Sequence, residues 1–147
     1  MARKTVNVTI DAKGRDLGKV FVLRELSASA AEKWAARAFL GLAKSGIVIP
    51  EDIASSGVAG IFMIGFKALM RMDFELLEPL LDEMMTCVQI MPDPRVPQVV
   101  RALIEDDIEE VLTRIKLRKA VFGLHTGFFS IGAPLTSGQA PTSQAAE

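Results

Sequence analysis

Val6, Val8 and Ile10 alternate with Thr5, Asn7 and Thr9 near the start of the chain, the period-two pattern of a strand with one buried face. A polar stretch from Asp11 to Gly18 follows, and then Lys19-Val-Phe-Val-Leu-Arg-Glu-Leu26, rich again in β-branched and aromatic residues. The two runs predict a β-hairpin over residues 5–26. A lone hairpin is marginal in water, so its apolar face must pack on helices or pair with another chain.

Beyond residue 26 the spacing turns helical. Ser29 and Glu32 have capping-box spacing, and Trp34, Ala35, Ala38, Phe39 and Leu42 recur at helical intervals before Ser45-Gly46. This predicts a first helix over 29–45. Residues 53–72 read as a second helix, apolar nearly all round as befits a core centre, with Gly57, Gly60 and Gly65 permitting close packing. Asp73 is the expected N-cap of a third helix over 73–88, which Pro79 either bends or starts. Met91-Pro-Asp-Pro-Arg-Val-Pro97 reads as an extended connector. A fourth helix is expected over 104–127, with acids Glu105 to Glu110 leading and Arg114, Lys116, Arg118 and Lys119 trailing, the order that complements the helix dipole.

The expected fold is therefore mainly α (α+β): an N-terminal hairpin packed on a bundle of about four helices, forming one domain over 1–129. The Gly/Ala/Pro/Ser/Thr/Gln-rich stretch 130–147 predicts a flexible, disordered tail. Trp34, Ile61, Phe62, Phe66, Leu77, Leu81, Ile108 and Ile115 are the expected core.

A length of 147 residues, 50% of them hydrophobic, suits a single core. The formal charge of −1 supplies no global attraction to nucleic acid or an anionic membrane. No apolar run follows Arg3-Lys4 as in a secretory signal, and the 13-residue apolar window Val58 to Met70 is too short to span a bilayer. A cytoplasmic protein is expected, with the single Cys87 unable to form an internal disulfide.

Candidate chemistry is sparse. His125 lies near the end of the last helix, where a structural role competes with catalysis, and no nucleophile or orienting partner marks it as a base. Glu105 to Glu110 have neither the calcium-loop glycine nor a histidine beside them, so a solvated helix start is favoured over a metal site. Cys87 shares the region of Met84 and Val88, which favours an inert thiol. Gly57, Gly60 and Gly65 lack the Lys-Ser/Thr ending of a phosphate loop. No catalytic residue, cofactor or metal is expected, and a small enzyme is the least favoured class.

Two features remain. Residues 1–44 hold nine basic and four acidic groups (+5), and residues 73–110 hold two basic and eleven acidic groups (−9). That segregation can stitch the domain together, or serve self-association or a complementary partner. Six of the seven methionines fall between Met63 and Met91. Methionine fills cores, and it also suits surfaces that hold varied apolar clients.

Several blocks resemble the tail assembly chaperones of long-tailed bacteriophages. They are Phe21-Val-Leu-Arg-Glu-Leu26, Ala31-Glu-Lys-Trp-Ala-Ala-Arg-Ala-Phe-Leu40, Glu78-Pro-Leu-Leu-Asp-Glu-Met85 with Val88 and Pro92-Asp-Pro94, and Ile104-Glu-Asp-Asp-Ile-Glu-Glu110 leading to Leu124-His-Thr-Gly-Phe128. They occur in the family's order across most of residues 17–128. The resemblance implies a non-enzymatic protein of the infected bacterium's cytoplasm that keeps the tape measure protein soluble and assists tail tube assembly, and that is absent from the mature virion. It further implies a tail tube protein partner, reached in the family through a longer frameshifted product, and it brings no catalytic or metal residues. On that reading the client surface is expected among Met70, Met72, Met84, Met85 and Met91, helped by Glu75, Glu78, Asp82 and Glu83. The competing reading is a small phage nucleic-acid-binding regulator using Arg3, Lys4, Lys13, Arg15, Lys19 and Arg24 as a phosphate-contacting ribbon. The near-neutral total charge and the lack of interleaved aromatics count against it.

Overall fold

A computed structural model describes residues 3–54 and 66–132, with side chains placed for 3–52 and 66–126. The fold is α+β. Strands β1 (Thr5–Thr9) and β2 (Val20–Arg24) form the expected antiparallel hairpin, pairing Thr5 with Arg24 and Thr9 with Val20. Helix α1 (Ala28–Lys44), short helices α2 (Glu51–Ala54) and α3 (Phe66–Leu69), and helix α4 (Phe74–Met85) come next. Then follow strands β3 (Val88–Met91) and β4 (Arg101–Ala102), a 3-10 turn over Glu105–Asp107, and the long helix α5 (Val111–Gly132).

The sheet is wider than the hairpin expected from the sequence: four antiparallel strands in the order β1-β2-β3-β4. Val88 to Met91 is a strand rather than the end of a helix and the start of a connector. Thr86 stops α4, its hydroxyl donating to the Glu83 carbonyl at 2.6 Å. Val88 then pairs with Leu23 and Ile90 with Phe21, and this burial outweighs the helical stripe that Val88 also fits. Val6, Val8, Phe21, Leu23, Val88 and Ile90 share one face by register. Among the described residues, Phe21, Leu23, Val88 and Ile90 belong to a core cluster, with Val8 packed against it, together with Trp34, Ala35, Ala38 and Leu42 of α1, Leu77, Leu80 and Met84 of α4, and Leu117, Val121 and Phe122 of α5.

Other boundaries move for local reasons. The N-cap of α1 is Ser27, two residues before Ser29, and its hydroxyl accepts from the Ala30 amide at 3.3 Å. Asp73 is the N-cap of α4, yet its carboxylate makes no cap bond, and its own amide donates to Ser45 Oγ at 2.9 Å. Pro79 lies inside α4. The last helix begins at Val111 rather than 104, because residues 104–107 are tied in the 3-10 turn by the Ile104 amide donating to Asp107 Oδ2 at 2.7 Å. Its backbone continues to Gly132, past the break expected at 130, and residues 133–147 lie outside the described residues. So does 55–65 of the expected second helix, with Ile61 and Phe62.

Trp34 and Leu77 are buried as expected, while Phe66, Leu81 and Ile108 are half-buried against the core. Ile115 is 36% exposed and is no core residue. Thr113, Leu117, Val121 and His125, at four-residue spacing, form the inward face of α5, and Ile115 is turned away from it. The Trp34 indole N–H donates to the Leu80 carbonyl at 3.0 Å, joining α1 to α4. Its ring and that of Phe66 both contact Phe122, with centroids 6.2 Å and 5.8 Å away.

His125 is an internal residue of α5, not a helix end. Its Nδ1 lies 2.9 Å from the Val121 carbonyl, and its Nε2 accepts from the Leu26 amide at 2.9 Å. The imidazole thus carries its proton on Nδ1 and ties the end of the hairpin to α5, a structural role.

The turn between β1 and β2 is bound to the start of α5 by buried charge. Asp16 is fully buried. Its carboxylate accepts from Lys19 Nζ at 2.9 Å, from the Glu109 amide at 3.0 and 3.2 Å, and from the Glu110 amide at 3.1 Å. Lys19 also donates to the Asp107 carbonyl, and Arg15 donates through Nη2 to the Glu109 carbonyl. Gly14, at φ 149°, admits this contact, since a Cβ there would sit 2.8 Å from the Glu110 carboxylate oxygens.

Burial alone would raise the Asp16 carboxyl, but the Lys19 ammonium, the Thr113 hydroxyl and the Glu109 amide outweigh it and hold the pKa at about 2, below the usual 3.8. A depressed carboxyl stabilises the fold above its unfolded pKa and loses that contribution as pH falls through the folded value. Stability is therefore expected to drop between pH 3.8 and about 2, with Asp16 supplying on the order of 2 kcal/mol of the loss. Urea midpoints measured across that range check this. Asp16→Asn is expected to be less stable at neutral pH and to show a shallower acid limb, and an unchanged limb would remove Asp16 from this role.

Candidate functional site

Three stretches remote in sequence meet beside the sheet. The Arg24 amide donates to the Cys87 carbonyl at 2.9 Å, bringing the end of β2 against the turn that leads from α4 into β3. Arg101 holds Asp107 through two bonds of 2.8 Å, which fixes the loop from β4 to the 3-10 turn. The Arg101 guanidinium, aided by the Ile104 amide, keeps the Asp107 carboxyl below its ordinary range against its own burial. The Lys4 amide donates to Glu25 Oε2 at 2.8 Å, closing the strand ends.

Between these stretches lies an open cleft of about 650 Å³. Its apolar lining is Leu26, Met85, Val88, Leu103, Ile104 and Ile108, and charged groups stand around it, Arg3, Arg24 and Arg114 with Glu25, Asp82 and Glu105. Among the described residues, the three guanidiniums take part in no ion pair. Apolar surface ringed by charges of both signs suits an amphipathic segment held without close sequence reading.

The cleft gathers only part of the surface expected from the sequence. Met85 and Asp82 line it. Met72, Met84 and Met91 are buried, and a Cβ on Gly41 would come 2.7 Å from the Met72 sulfur, so that side chain fills the contact between α1 and the turn before α4. Met70 is exposed but lies outside the cleft lining. Glu75 and Glu78 are exposed on α4, whereas Glu83 forms an ion pair with Arg37 of α1. Leu103, Ile104 and Ile108 were not expected at a site. Ile104 and Ile108 read as the opening of a helix over 104–127, with Leu103 just ahead of it, and the irregular backbone that displays them depends on Asp107 meeting Arg101.

The basic ribbon of the competing reading is partly neutralised. Lys19 is paired with Asp16 and Glu109, and Arg15 with Glu110. Cys87 lines the cleft from a buried position, and its thiol is pushed up to about 11 by burial, with Glu83 adding and Arg3 opposing. A protonated thiol is a poor nucleophile, and His125 is not among the lining residues. Among the described residues, no group of three or more His, Cys, Asp and Glu side chains could hold a metal ion, and no helix is long and apolar enough to cross a membrane. No protein-family model, curated protein or solved structure matches the chain.

The Cys87 environment is open to direct measurement. In the native protein the thiol is expected to react with Ellman's reagent far more slowly than free cysteine at mildly alkaline pH, and to reach the free rate in denaturant. Native reactivity equal to that of free cysteine would mean that the turn into β3 is open.

Proposed function

We propose that this chain is a tail assembly chaperone of a long-tailed bacteriophage, a non-enzymatic protein of the infected bacterium's cytoplasm that holds the tape measure protein soluble while tail tube subunits assemble around it. The observation that carries this reading is a convergence. Three of the blocks that resemble the family, at 21–26, 78–88 and 104–110, contribute Leu26, Met85, Val88, Ile104 and Ile108 to the lining of one cleft. The remaining block supplies Trp34, which holds α4 in place through the Leu80 carbonyl.

A tape measure protein presents many similar apolar stripes along a long helical polypeptide, so its holder must accept variants of one pattern. Met85 repacks at little cost, and a rim carrying both Arg and Asp/Glu meets either charge on a client helix. Asp16 with Lys19 and Asp107 with Arg101 are engaged as structural ties outside the cleft lining.

The test is co-expression with the tape measure protein encoded by the same phage. Wild-type chain is expected to keep it soluble, and Met85→Lys or Ile104→Asp to lose that effect while remaining folded by circular dichroism. Leu112→Asp, at a position 74% exposed and outside the cleft lining, is expected to behave as wild type. Loss of an apolar anchor of this kind weakens binding by about 2 kcal/mol, roughly thirtyfold. Equal solubility of the tape measure protein with and without this chain would defeat the reading.

A further inference from the structure

β1 is an edge strand of the sheet. The hairpin bonds join Ile10 to Lys19 and Lys4 to Glu25, and with the register this turns the backbone groups of Lys4, Val6, Val8 and Ile10 toward β2. The N–H and C=O groups of Thr5, Asn7 and Thr9 point outward. Sheet edges are ordinarily blunted by lysine, proline, a bulge or extreme shortness. β1 has none of these over its five residues, Thr-Val-Asn-Val-Thr.

That sequence reads the same in both directions. Laid antiparallel on a second copy about Asn7, Thr5 faces Thr9, Val6 faces Val8, and Asn7 faces Asn7. The outward-pointing residues are the ones that meet as hydrogen-bonded pairs, each pair exchanging two bonds. Thr–Thr and Val–Val are favourable cross-strand pairs. Two residues beyond the strand on each side, past Lys4 opposite Ile10, Arg3 of one copy faces Asp11 of the other. Arg3 is in no ion pair among the described residues. Asp11 is 86% exposed and meets Lys116 through Oδ1 only.

We propose that β1 pairs with β1 of a second copy of this chain across a two-fold axis at Asn7, joining two four-stranded sheets into one of eight strands. The interface is isologous and closes at the dimer. Five residues a side fall short of the ~800 Å² per partner of a standard stable interface, so the dimer dissociates on dilution. The pairing does not depend on what the cleft binds.

Sedimentation velocity on the full chain tests this over a wide concentration range. Wild type is expected to pass from monomer to dimer as concentration rises. Asn7→Lys and Asn7→Glu each place like charges face to face at the axis and are expected to remain monomeric where wild type is dimeric. An equimolar mixture of the two is expected to return to the dimer. Should circular dichroism show either variant unfolded, Thr5→Lys/Thr9→Lys and Thr5→Lys/Thr9→Glu ask the same question, the first expected to be monomeric and the second dimeric. A wild-type chain that stays monomeric at every concentration overturns the proposal, as it would if the edge instead takes an extended segment of a different polypeptide. A dimer that survives both Asn7 variants overturns it by placing the contact elsewhere, and loss without recovery on mixing overturns the two-fold register.

Discussion

A carboxylate with no exposure to solvent holds the two ends of the fold together. Asp16 sits in the turn of the first hairpin, and its oxygens take up the amides of Glu109 and Glu110 just ahead of α5. The Glu110 amide is an orphan donor of the helix start, and the Glu109 amide lies one residue ahead of it. An ionised group in such a place is tolerable only when its hydrogen bonds are complete and a cation is beside it, which Lys19 provides. The rest follows from this anchor. With α5 fixed at its start, Leu117, Val121 and Phe122 reach the core, and His125 meets the Leu26 amide at the far end of the hairpin.

A second ion-bonded tie builds on the first. Lys19 reaches from Asp16 to the Asp107 carbonyl, and the Asp107 carboxylate is gripped by Arg101 of β4. The outer edge strand of the sheet, the 3-10 turn and the entry to α5 therefore share one polar seam. The cleft is bounded on one side by this seam and on the other by the end of α4. Its shape is set by charge pairing, while its lining is apolar.

How far this was visible in the chain depends on how local each cause is. The hairpin showed in the alternation of Val6, Val8 and Ile10, and α1 in the spacing around Trp34, because neighbouring residues decide both. β3 was hidden, since Val88 fits the stripe of Leu77, Leu81 and Met84 as well as it fits a strand, and only pairing with β2 separates the two. Thr86, β-branched and next to Cys87 and Val88, was the available hint. Asp16 read as a polar turn residue because its partners lie 93 and 94 positions away. The same holds for the cleft. Met85 and Asp82 could be named from composition, but Leu103, Ile104 and Ile108 reach it only through a backbone shape that Arg101 and Asp107 impose.

The distance between the partners of the Asp16 tie also orders events during synthesis. Translation proceeds from the N-terminal side at a finite rate, so the hairpin can close on itself while β3 is still unmade. Until Val88 to Met91 emerges, the Phe21 and Leu23 side chains lack Ile90 and Val88 opposite them. Asp16 remains in water as an ordinary carboxylate until residues 109 and 110 arrive. The last helix is thus the closing step, and the long loop it must close is entropically costly before any contact rewards it. Until β3 and the last helix have emerged, a nascent chain of this protein presents an unfinished apolar sheet face, and its burial is completed from the C-terminal side.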